Sequence, residues 1–215
     1  MRIIGGELRG RKLKSLRGHA VRPTSERTRE ALFDMLGARV VGCRFLDLFA
    51  GVGAVGLEAL SRGASRVVLV EASDRALRVI RANADLVGGA AEQAPKPLGP
   101  GWRSRSDLAT RLSVLPGNAA TAVRGLASAG AKFDMVFMDP PYRDRRALEG
   151  ALEEIAREGG ILAPGAVVVV EHEARAGPPA ASGTLCLEHS RRYGDTALTF
   201  YRPRREPHTD APSAR

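Results

Sequence analysis

Residues 133–138 form an apolar, strand-like run, Phe-Asp-Met-Val-Phe-Met, which ends at Asp139-Pro140-Pro141. Proline has no backbone N–H to donate to a neighbouring strand, so the chain must leave the sheet at this point. Open α/β sheets bind their ligands at the carboxyl ends of the strands. We therefore expect Asp139, the carbonyl of Pro140 and the ring of Tyr142 to lie in a fixed arrangement at a ligand-binding edge.

Strand and helix patterns alternate along the chain from Arg44 onward. Short runs rich in β-branched residues are separated by segments with apolar residues at helical spacing, which is typical of an α/β fold with a mostly parallel sheet covered on both faces. The last two runs flank Tyr193-Gly194-Asp195 and predict an antiparallel hairpin at one sheet edge. The predicted strands are 44–49, 66–71, 111–115, 133–138, 166–170, 184–192 and 197–202.

The size and composition of the chain limit its class. Its 215 residues, 44% of them hydrophobic, can bury one substantial core. No apolar stretch approaches the length that spans a bilayer, and the first residues lack the apolar segment of a secretory signal. The two cysteines lie far apart and no Cys/His cluster has zinc spacing, so we expect no metal site and reduced thiols in a cytoplasmic protein. We also expect the protein to be a monomer.

The positive charge is concentrated near the start of the chain. The net charge is +9, and residues 1–22 carry seven basic side chains against one acid, a local net charge of +6. Such a basic segment is typical of proteins that bind a polyanion such as a nucleic acid. A solvated segment that keeps the protein soluble would have the same composition, and charge alone does not separate these two interpretations.

The pattern predicts three segments with different roles. Residues 1–37 form a basic extension, a small β-hairpin followed by a helix, that packs on the core. Residues 38–202 form the main domain, interrupted at 88–107 by a loop rich in proline and glycine that contains Trp102. Residues 203–215 have the composition of a disordered tail.

A glycine-rich turn at residues 47–56 follows the first strand and opens a helix. Gly51, Gly53 and Gly56 match the dinucleotide-binding fingerprint, and Glu71 ends the next strand at the offset where an acid binds a ribose. This pattern by itself also fits a nicotinamide-dependent oxidoreductase. Asp47, just before the turn, argues against that cofactor because its negative charge would repel a pyrophosphate.

S-adenosylmethionine fits the same residues better than a nicotinamide cofactor does. Its ammonium and sulfonium groups suit Asp47, its ribose hydroxyls suit Glu71, and its adenine can meet the residues that follow the third strand. The Asp-Pro-Pro-Tyr segment, which has no evident role in hydride transfer, also fits a methyl donor. The predicted cofactor-binding residues are Asp47, Phe49, Gly51, Gly53, Glu71, Asn118 and Ala119.

With these residues the sequence resembles a known family. The core from Asp47 to Tyr142 is similar to class I S-adenosylmethionine-dependent methyltransferases that act on amino groups, and further motifs resemble the RsmD type. Members of that family methylate the exocyclic N2 of one guanine in bacterial 16S ribosomal RNA. The motifs are at residues 1–6, 9–13, 22–24, 29–33 and 56–62; the likeness covers residues 1–202, and the long loop at 88–107 departs from it.

The resemblance implies a Rossmann-like fold with a seven-stranded sheet and, as partner, 16S rRNA within the 30S subunit or its assembly intermediate. The implied catalytic residues are Asp139, Pro140, Pro141 and Tyr142. We hypothesise that Asp139 and the Pro140 carbonyl accept the two hydrogens of the target amine and aim its lone pair at the methyl group. Tyr142 would stack on the base once it has left its own stack.

Five basic residues are candidates for RNA phosphate contacts: Arg9, Arg11, Lys12, Arg22 and Arg143. The Asp-Pro-Pro-Tyr segment suits any planar exocyclic amine, so adenine-N6 methylation of DNA or RNA stays an alternative. An oxidoreductase and a protein that binds the ribosome during assembly without catalysis are less favoured interpretations of the same sequence. Only the family resemblance favours guanine.

Overall fold

The computed structural model describes residues 1–16, 25–87, 92–93, 111–141, 144–177 and 181–204. Within these ranges nine strands form one sheet in the order β3-β4-β2-β1-β5-β6-β9-β8-β7; the first six run parallel, and β9, β8 and β7 each pair antiparallel with the strand before them in that order. The strands are β1 Arg44–Asp47, β2 Arg66–Glu71, β3 Glu92–Gln93, β4 Leu112–Pro116, β5 Phe133–Met138, β6 Leu162–Glu173, β7 Ala181–Ser182, β8 Leu185–Tyr193 and β9 Thr196–Pro203. The helices are α1 Glu26–Leu36, α2 Ala54–Ser61, α3 Asp74–Leu86, α4 Ala119–Ser128 and α5 Arg145–Ile155, with a 3-10 turn at Gly37–Val40.

The predicted fold class is confirmed. Seven of the described strands have four or more residues, they are mostly parallel, and β9 is the antiparallel strand near the C-terminus. The predicted strand 166–170 is too short, because β6 continues on both sides of it. Pro164 and Gly165 are typical of a turn, but the pairing of β5 with β6 shifts register after Phe133, and this bulge carries both residues within the strand.

Several predictions fall on residues outside the described ranges. Of the predicted loop 88–107, only Glu92–Gln93 is described, where it pairs with β4, and Trp102 lies outside. Residues 205–215 also lie outside. No helix in the described ranges is long and apolar enough to cross a bilayer.

The core has two layers because successive strand residues face opposite sides of the sheet. Phe137 packs in the layer formed with α1, α2 and α3, whereas its neighbour Met138 packs in the layer formed with α4 and α5. Both faces of the central strands are therefore buried, which leaves the strand ends as the place where the sheet meets solvent.

Residues 1–16 contain the predicted hairpin and are called the arm below. Arg2 and Lys12 form an antiparallel bridge, and the Ile3 N–H donates to the Arg11 carbonyl at 3.0 Å. Ile3 is buried in the core, while the basic side chains of Arg2, Arg11 and Lys12 are exposed. The arm therefore has one apolar face against the domain and one basic face toward solvent.

A buried carboxylate on α2 fixes the arm to the domain. Glu58 has no exposed surface, and it accepts hydrogen bonds from the backbone N–H groups of Ile4 and Gly5 at 2.8 and 2.7 Å. Arg62 donates to the same carboxylate at 2.8 Å, and the fully buried Arg29 lies 3.6 Å from it. A buried carboxylate needs such partners, so the arm and the domain satisfy each other's polar groups.

Gly56 allows α2 to approach the sheet closely. A Cβ at this position would lie 2.1 Å from Cδ2 of Leu69 and 3.1 Å from Cγ1 of Val67. Both side chains belong to β2 and are fully buried, so they cannot move aside without repacking the core. The last glycine of the predicted cofactor fingerprint therefore serves helix-to-sheet packing.

We expect Gly56→Ala to lower the free energy of unfolding by about 1–3 kcal/mol because it overpacks this contact. Gly150→Ala in α5 is the matched control: its new Cβ would meet no atom within 4 Å. Alanine is favoured over glycine inside a helix by up to about 1 kcal/mol, so the control should be neutral or stabilising. Urea unfolding of both variants measures the difference, and an equal effect of the two substitutions would contradict the prediction.

Candidate active site

A cavity of about 900 Å³ opens at the carboxyl edge of the sheet. The turns after β1, β2, β4 and β5 form most of its wall, together with the first residues of α5. Met1, Ser15 and Leu16 of the arm complete it. This volume is in the range of cavities that hold cofactors and drug-sized ligands.

The structure brings most of the predicted site residues together. The predicted residues that line the cavity are Asp47, Phe49, Gly51, Glu71, Asn118, Ala119, Asp139, Pro140 and Pro141. Gly53 does not line it but precedes α2 with a left-handed backbone. Arg9, Arg11 and Lys12 lie on the arm outside the lining, and Arg22, Tyr142 and Arg143 are outside the described ranges.

Asp47 is the last residue of β1 and its side chain is 1% exposed. Its Oδ2 accepts a hydrogen bond from the Gly56 N–H at 3.2 Å. Its Oδ1 is buried and has no hydrogen-bond partner among the described residues. A buried acceptor without a partner is unfavourable, so this atom is a natural contact for a ligand that donates hydrogen bonds.

The surroundings of Asp47 disfavour its charged form. Burial raises the pKa of Asp47 to about 8, the hydrogen bond from Gly56 opposes this rise, and the nearby carboxylates of Asp139 and Glu71 add to it. A cation bound in the cavity would favour the ionised carboxylate. Asp47 is therefore suited to a positively charged ligand.

Glu71 joins the glycine-rich turn at residues 47–56, called the glycine loop below, to the end of β2. Its Oε2 accepts from the Gly51 N–H at 2.8 Å and its Oε1 accepts from the Ser73 N–H at 2.7 Å. Gly51 has a φ of +57°, which favours glycine at this turn, and no atom lies within 4 Å of the Cβ it lacks. The loop thus leaves open space beside its backbone while the carboxylate holds its shape.

The start of α4 forms the far wall. Asn118 caps this helix by accepting from the Thr121 N–H at 2.9 Å, and the buried Ala119 follows it. The Gly117 N–H donates to the Glu71 carbonyl at 2.9 Å, so this wall is joined directly to the end of β2.

The Asp139 segment leaves the sheet as predicted. Asp139 follows the last residue of β5 and is half-buried, Pro140 is buried, and Pro141 is exposed. The Asp144 N–H donates to the Pro141 carbonyl at 2.8 Å, and the Asp144 side chain caps α5. Asp139 and Pro140 therefore lie between the end of β5 and a backbone hydrogen bond that joins Pro141 to the residue capping α5.

Asn83 joins the arm to the glycine loop. Its Nδ2 donates to the carbonyls of Lys14 and Val52 at 3.0 and 2.9 Å, and its Oδ1 accepts from the Lys14 N–H at 2.7 Å. Asn83 is fully buried in α3. These bonds place the end of the arm, Ser15 and Leu16, against the cavity.

Sequence reasoning missed several of the lining residues. Met1, Ser15 and Leu16 gave no signal, because only the folded arm brings them to the cavity. Glu171 did give one: like Asp139, it is an acid directly after an apolar run, here Val167–Val170. Ending the predicted strand at residue 170 left it out.

Acidic side chains dominate the cavity. Among the described residues the acidic lining residues are Asp47, Glu71, Asp139, Asp144 and Glu171, and the basic one is Arg146. Such a wall repels a pyrophosphate and suits a ligand with an ammonium and a sulfonium. The residues present therefore fit S-adenosylmethionine better than a dinucleotide.

We expect Asp47→Asn to stabilise the protein more at pH 8 than at pH 5. The raised pKa means that the folded wild type keeps a proton that the unfolded chain releases, so its stability falls as pH rises from about 4 to about 8. The amide cannot ionise and avoids this loss. The gain in Tm of the variant over wild type should be larger at pH 8 than at pH 5 by at least about 3 °C. The exposed Asp34→Asn is the control, and a gain that does not change with pH would contradict the expectation.

Comparison with known proteins identifies the family. The family model described as Conserved hypothetical protein 95 matches residues 1–97 and 102–202. Ribosomal RNA small subunit methyltransferase D of Escherichia coli K12 is 35% identical over 216 residues, covering 98% of this chain and 94% of that protein. The solved structures of yhhF from Escherichia coli and of a hypothetical protein from Thermus thermophilus are each 33% identical, with TM-scores of 0.74 and 0.71. They cover 95% and 93% of this chain, and 98% of their own chains. The chain therefore belongs to the Conserved hypothetical protein 95 family, the RsmD-type methyltransferases that its motifs resemble.

Proposed function

We propose that the protein uses S-adenosylmethionine to methylate the exocyclic N2 of a guanine in bacterial small-subunit (16S) ribosomal RNA. The observation that carries this proposal is the position of Asp139 and Pro140 at the rim of an acid-lined cavity of about 900 Å³. Family membership supports the reaction class. Adenine-N6 methylation is the alternative that the cavity alone leaves open.

The cofactor would bind along the carboxyl ends of β1, β2 and β4. When bound, it supplies an activated methyl group. The unpartnered Oδ1 of Asp47 accepts from its ammonium, and Glu71 accepts from its ribose hydroxyls with lone pairs that the loop does not use. The open space beside the Gly51 backbone would take the methionine part, and Gly53 would shape the turn. Phe49, Asn118 and Ala119 also line the cavity and would complete the binding site, with Asn118 and Ala119 holding the adenine.

Asp139 and the Pro140 carbonyl act on the target amine. The lone pair of an exocyclic guanine amine is delocalised into the ring, so the nitrogen is a weak nucleophile. Hydrogen bonds to the carboxylate and the carbonyl pull the nitrogen toward tetrahedral geometry. The nitrogen loses one proton when it gains the methyl group, and Asp139 or water accepts this proton. Tyr142 is proposed to stack on the flipped base.

The arm would bind the RNA backbone. The side chains of Arg9 and Lys12 are exposed on it, while Arg11 donates to the Leu86 carbonyl at the end of α3. Residues 15 and 16 line the cavity, whereas the N–H groups of Glu7 and Leu8 bond to Ser61 at the end of α2. The arm therefore runs from the cavity along the domain, and it would bind RNA that extends beyond the reacting base. Arg22 and Arg143 are proposed to add further phosphate contacts.

We further propose the roles of the segments. Residues 1–37 serve as the RNA-binding extension, residues 38–202 as the methyltransferase domain, and residues 203–215 as a tail without a catalytic role. The protein acts as a monomer on the 30S subunit or on an intermediate in its assembly, and the cytoplasm is the compartment where that substrate is found.

We expect Asp139→Ala to lower kcat by at least about a hundredfold and to leave the dissociation constant for S-adenosylmethionine within about twofold. The measurement is methyl transfer to small subunits from an Escherichia coli strain that lacks its own family member, with calorimetry for the cofactor. Asp34→Ala, the same substitution at an exposed position on α1, is the control. Retained transfer in the Asp139 variant would rule out its proposed role.

We expect Arg9→Ala combined with Lys12→Ala to weaken RNA binding and to reduce the slope of log K against log salt by about 1.5, since two phosphate contacts are lost. Arg39→Ala combined with Lys132→Ala removes the same charge at two positions outside the arm, in the 3-10 turn and just before β5. Binding to 16S rRNA at several salt concentrations measures both slopes. Equal slopes for the two double variants would show that the arm is not the phosphate-binding surface.

A further inference from the structure

Glu171 occupies the position beside Asp139 on the neighbouring strand. β5 and β6 run parallel, and Met138 of β5 pairs with Val170 of β6. Asp139 and Glu171 are the residues that follow this pair on the two neighbouring segments. Adjacent strands lie about 4.8 Å apart. The side chain of Glu171 is 4% exposed, whereas Asp139 is half-buried at the rim. Two neighbouring acidic residues therefore lie at the proposed reaction site, one buried and one half-buried.

Glu171 also lines a second, smaller space. A pocket of about 60 Å³ adjoins the main cavity, and Pro140, Pro141, Asp144 and Glu171 line both. A planar base held by the Pro140 acceptor would lie against this shared wall. Glu171 is thus placed to meet the edge of the base next to the reacting amine.

The strand behind Glu171 is held firmly. Glu171 pairs with Leu198 of β9, and both ring nitrogens of the next residue, His172, are engaged. His172 Nε2 lies 2.7 Å from the Thr199 hydroxyl and Nδ1 lies 2.8 Å from the Glu173 carbonyl. These contacts fix the backbone from which the Glu171 side chain extends, as selective recognition requires.

Guanine and adenine differ at the atom beside the exocyclic amine. Guanine carries a proton on N1 next to its N2 amine, whereas N1 of adenine, next to its N6 amine, has a lone pair. An ionised carboxylate only accepts hydrogen bonds. It can therefore bind the N1–H of guanine but repels N1 of adenine, and rejection of that kind is an effective source of specificity.

We infer that Glu171 is a specificity-determining residue that accepts the N1–H of the target guanine while Asp139 and the Pro140 carbonyl hold its N2 amine. This inference rests on the proposed function and adds to it the residue that selects guanine over adenine. Flipped bases are recognised through this same Watson–Crick edge.

The test compares two bases in one RNA. The methylated nucleotide is first located by mapping the modification in 16S rRNA treated with the wild-type protein. Small subunits are then reassembled with 16S rRNA that carries either guanine or 2,6-diaminopurine at that nucleotide. Diaminopurine keeps the N2 amine but has a lone pair on N1. We expect the wild-type protein to methylate guanine at least about tenfold faster than diaminopurine.

Glu171→Gln tests the residue itself. Its neutral amide oxygen is a weaker acceptor for the N1–H of guanine, and its NH2 can donate to N1 of diaminopurine. We therefore expect the rate on guanine to fall by about ten- to a hundredfold and the preference over diaminopurine to shrink or reverse. The cofactor dissociation constant should stay within about twofold. Glu171→Asp, which keeps the charge, should be slower yet still prefer guanine. The exposed Glu153→Gln in α5 is the control for the same chemical change and should match wild type.

The outcomes separate the two ideas. A wild-type protein that transfers no methyl group to the guanine-containing subunit overturns the proposed function. A wild-type protein that methylates both bases equally fast overturns the inference alone, whether or not the variants fold. The inference also fails if Glu171→Gln keeps the wild-type preference, or if its loss of activity comes with weaker cofactor binding.

Discussion

Parallel pairing of the central strands is the constraint on which the site depends. Strands that run in the same direction end at the same edge, and in this chain β1, β2 and β5 each end at or just before an acid. Asp47, Glu71 and Asp139 therefore meet around one cavity although they are far apart in sequence. Burial is the main reason why the pKa of Asp47 is raised, and the neighbouring negative charges of Asp139 and Glu71 raise it further. A cationic ligand bound in the cavity would reduce the repulsion among these carboxylates.

The basic arm is part of the domain and not an appendage. Glu58 binds its backbone near the start and Asn83 binds it near the end, and both side chains are fully buried. Removing either partner would leave a buried polar group unsatisfied, which is among the more damaging changes in a protein. The surface that carries exposed basic side chains and the wall of the cavity are thus parts of one packed unit.

The sequence was sufficient for features that depend on local patterns. Asp47, Glu71 and Asp139 were located because apolar runs and glycine or proline mark the strand ends beside them. The full length of β6 was not foreseen, because a bulge carries turn-forming residues within it. Contacts such as Gly5 with Glu58 and Lys14 with Asn83 join residues 53 and 69 positions apart. No local pattern encodes pairs of this kind, so the arm's share of the cavity emerged only from the fold.

The hydrogen bonds of Asn83 have a consequence for the geometry of the arm. With Lys14, its amide exchanges one donor and one acceptor, as two facing residues do in an antiparallel ladder. The side chain thus replaces a strand with a single peptide-like group, and its second amide hydrogen binds Val52 of the glycine loop. Both backbone groups of Lys14 are engaged, so this contact is made at a single residue of the arm. Asn83 therefore links the arm to the glycine loop through the backbone of one arm residue, Lys14.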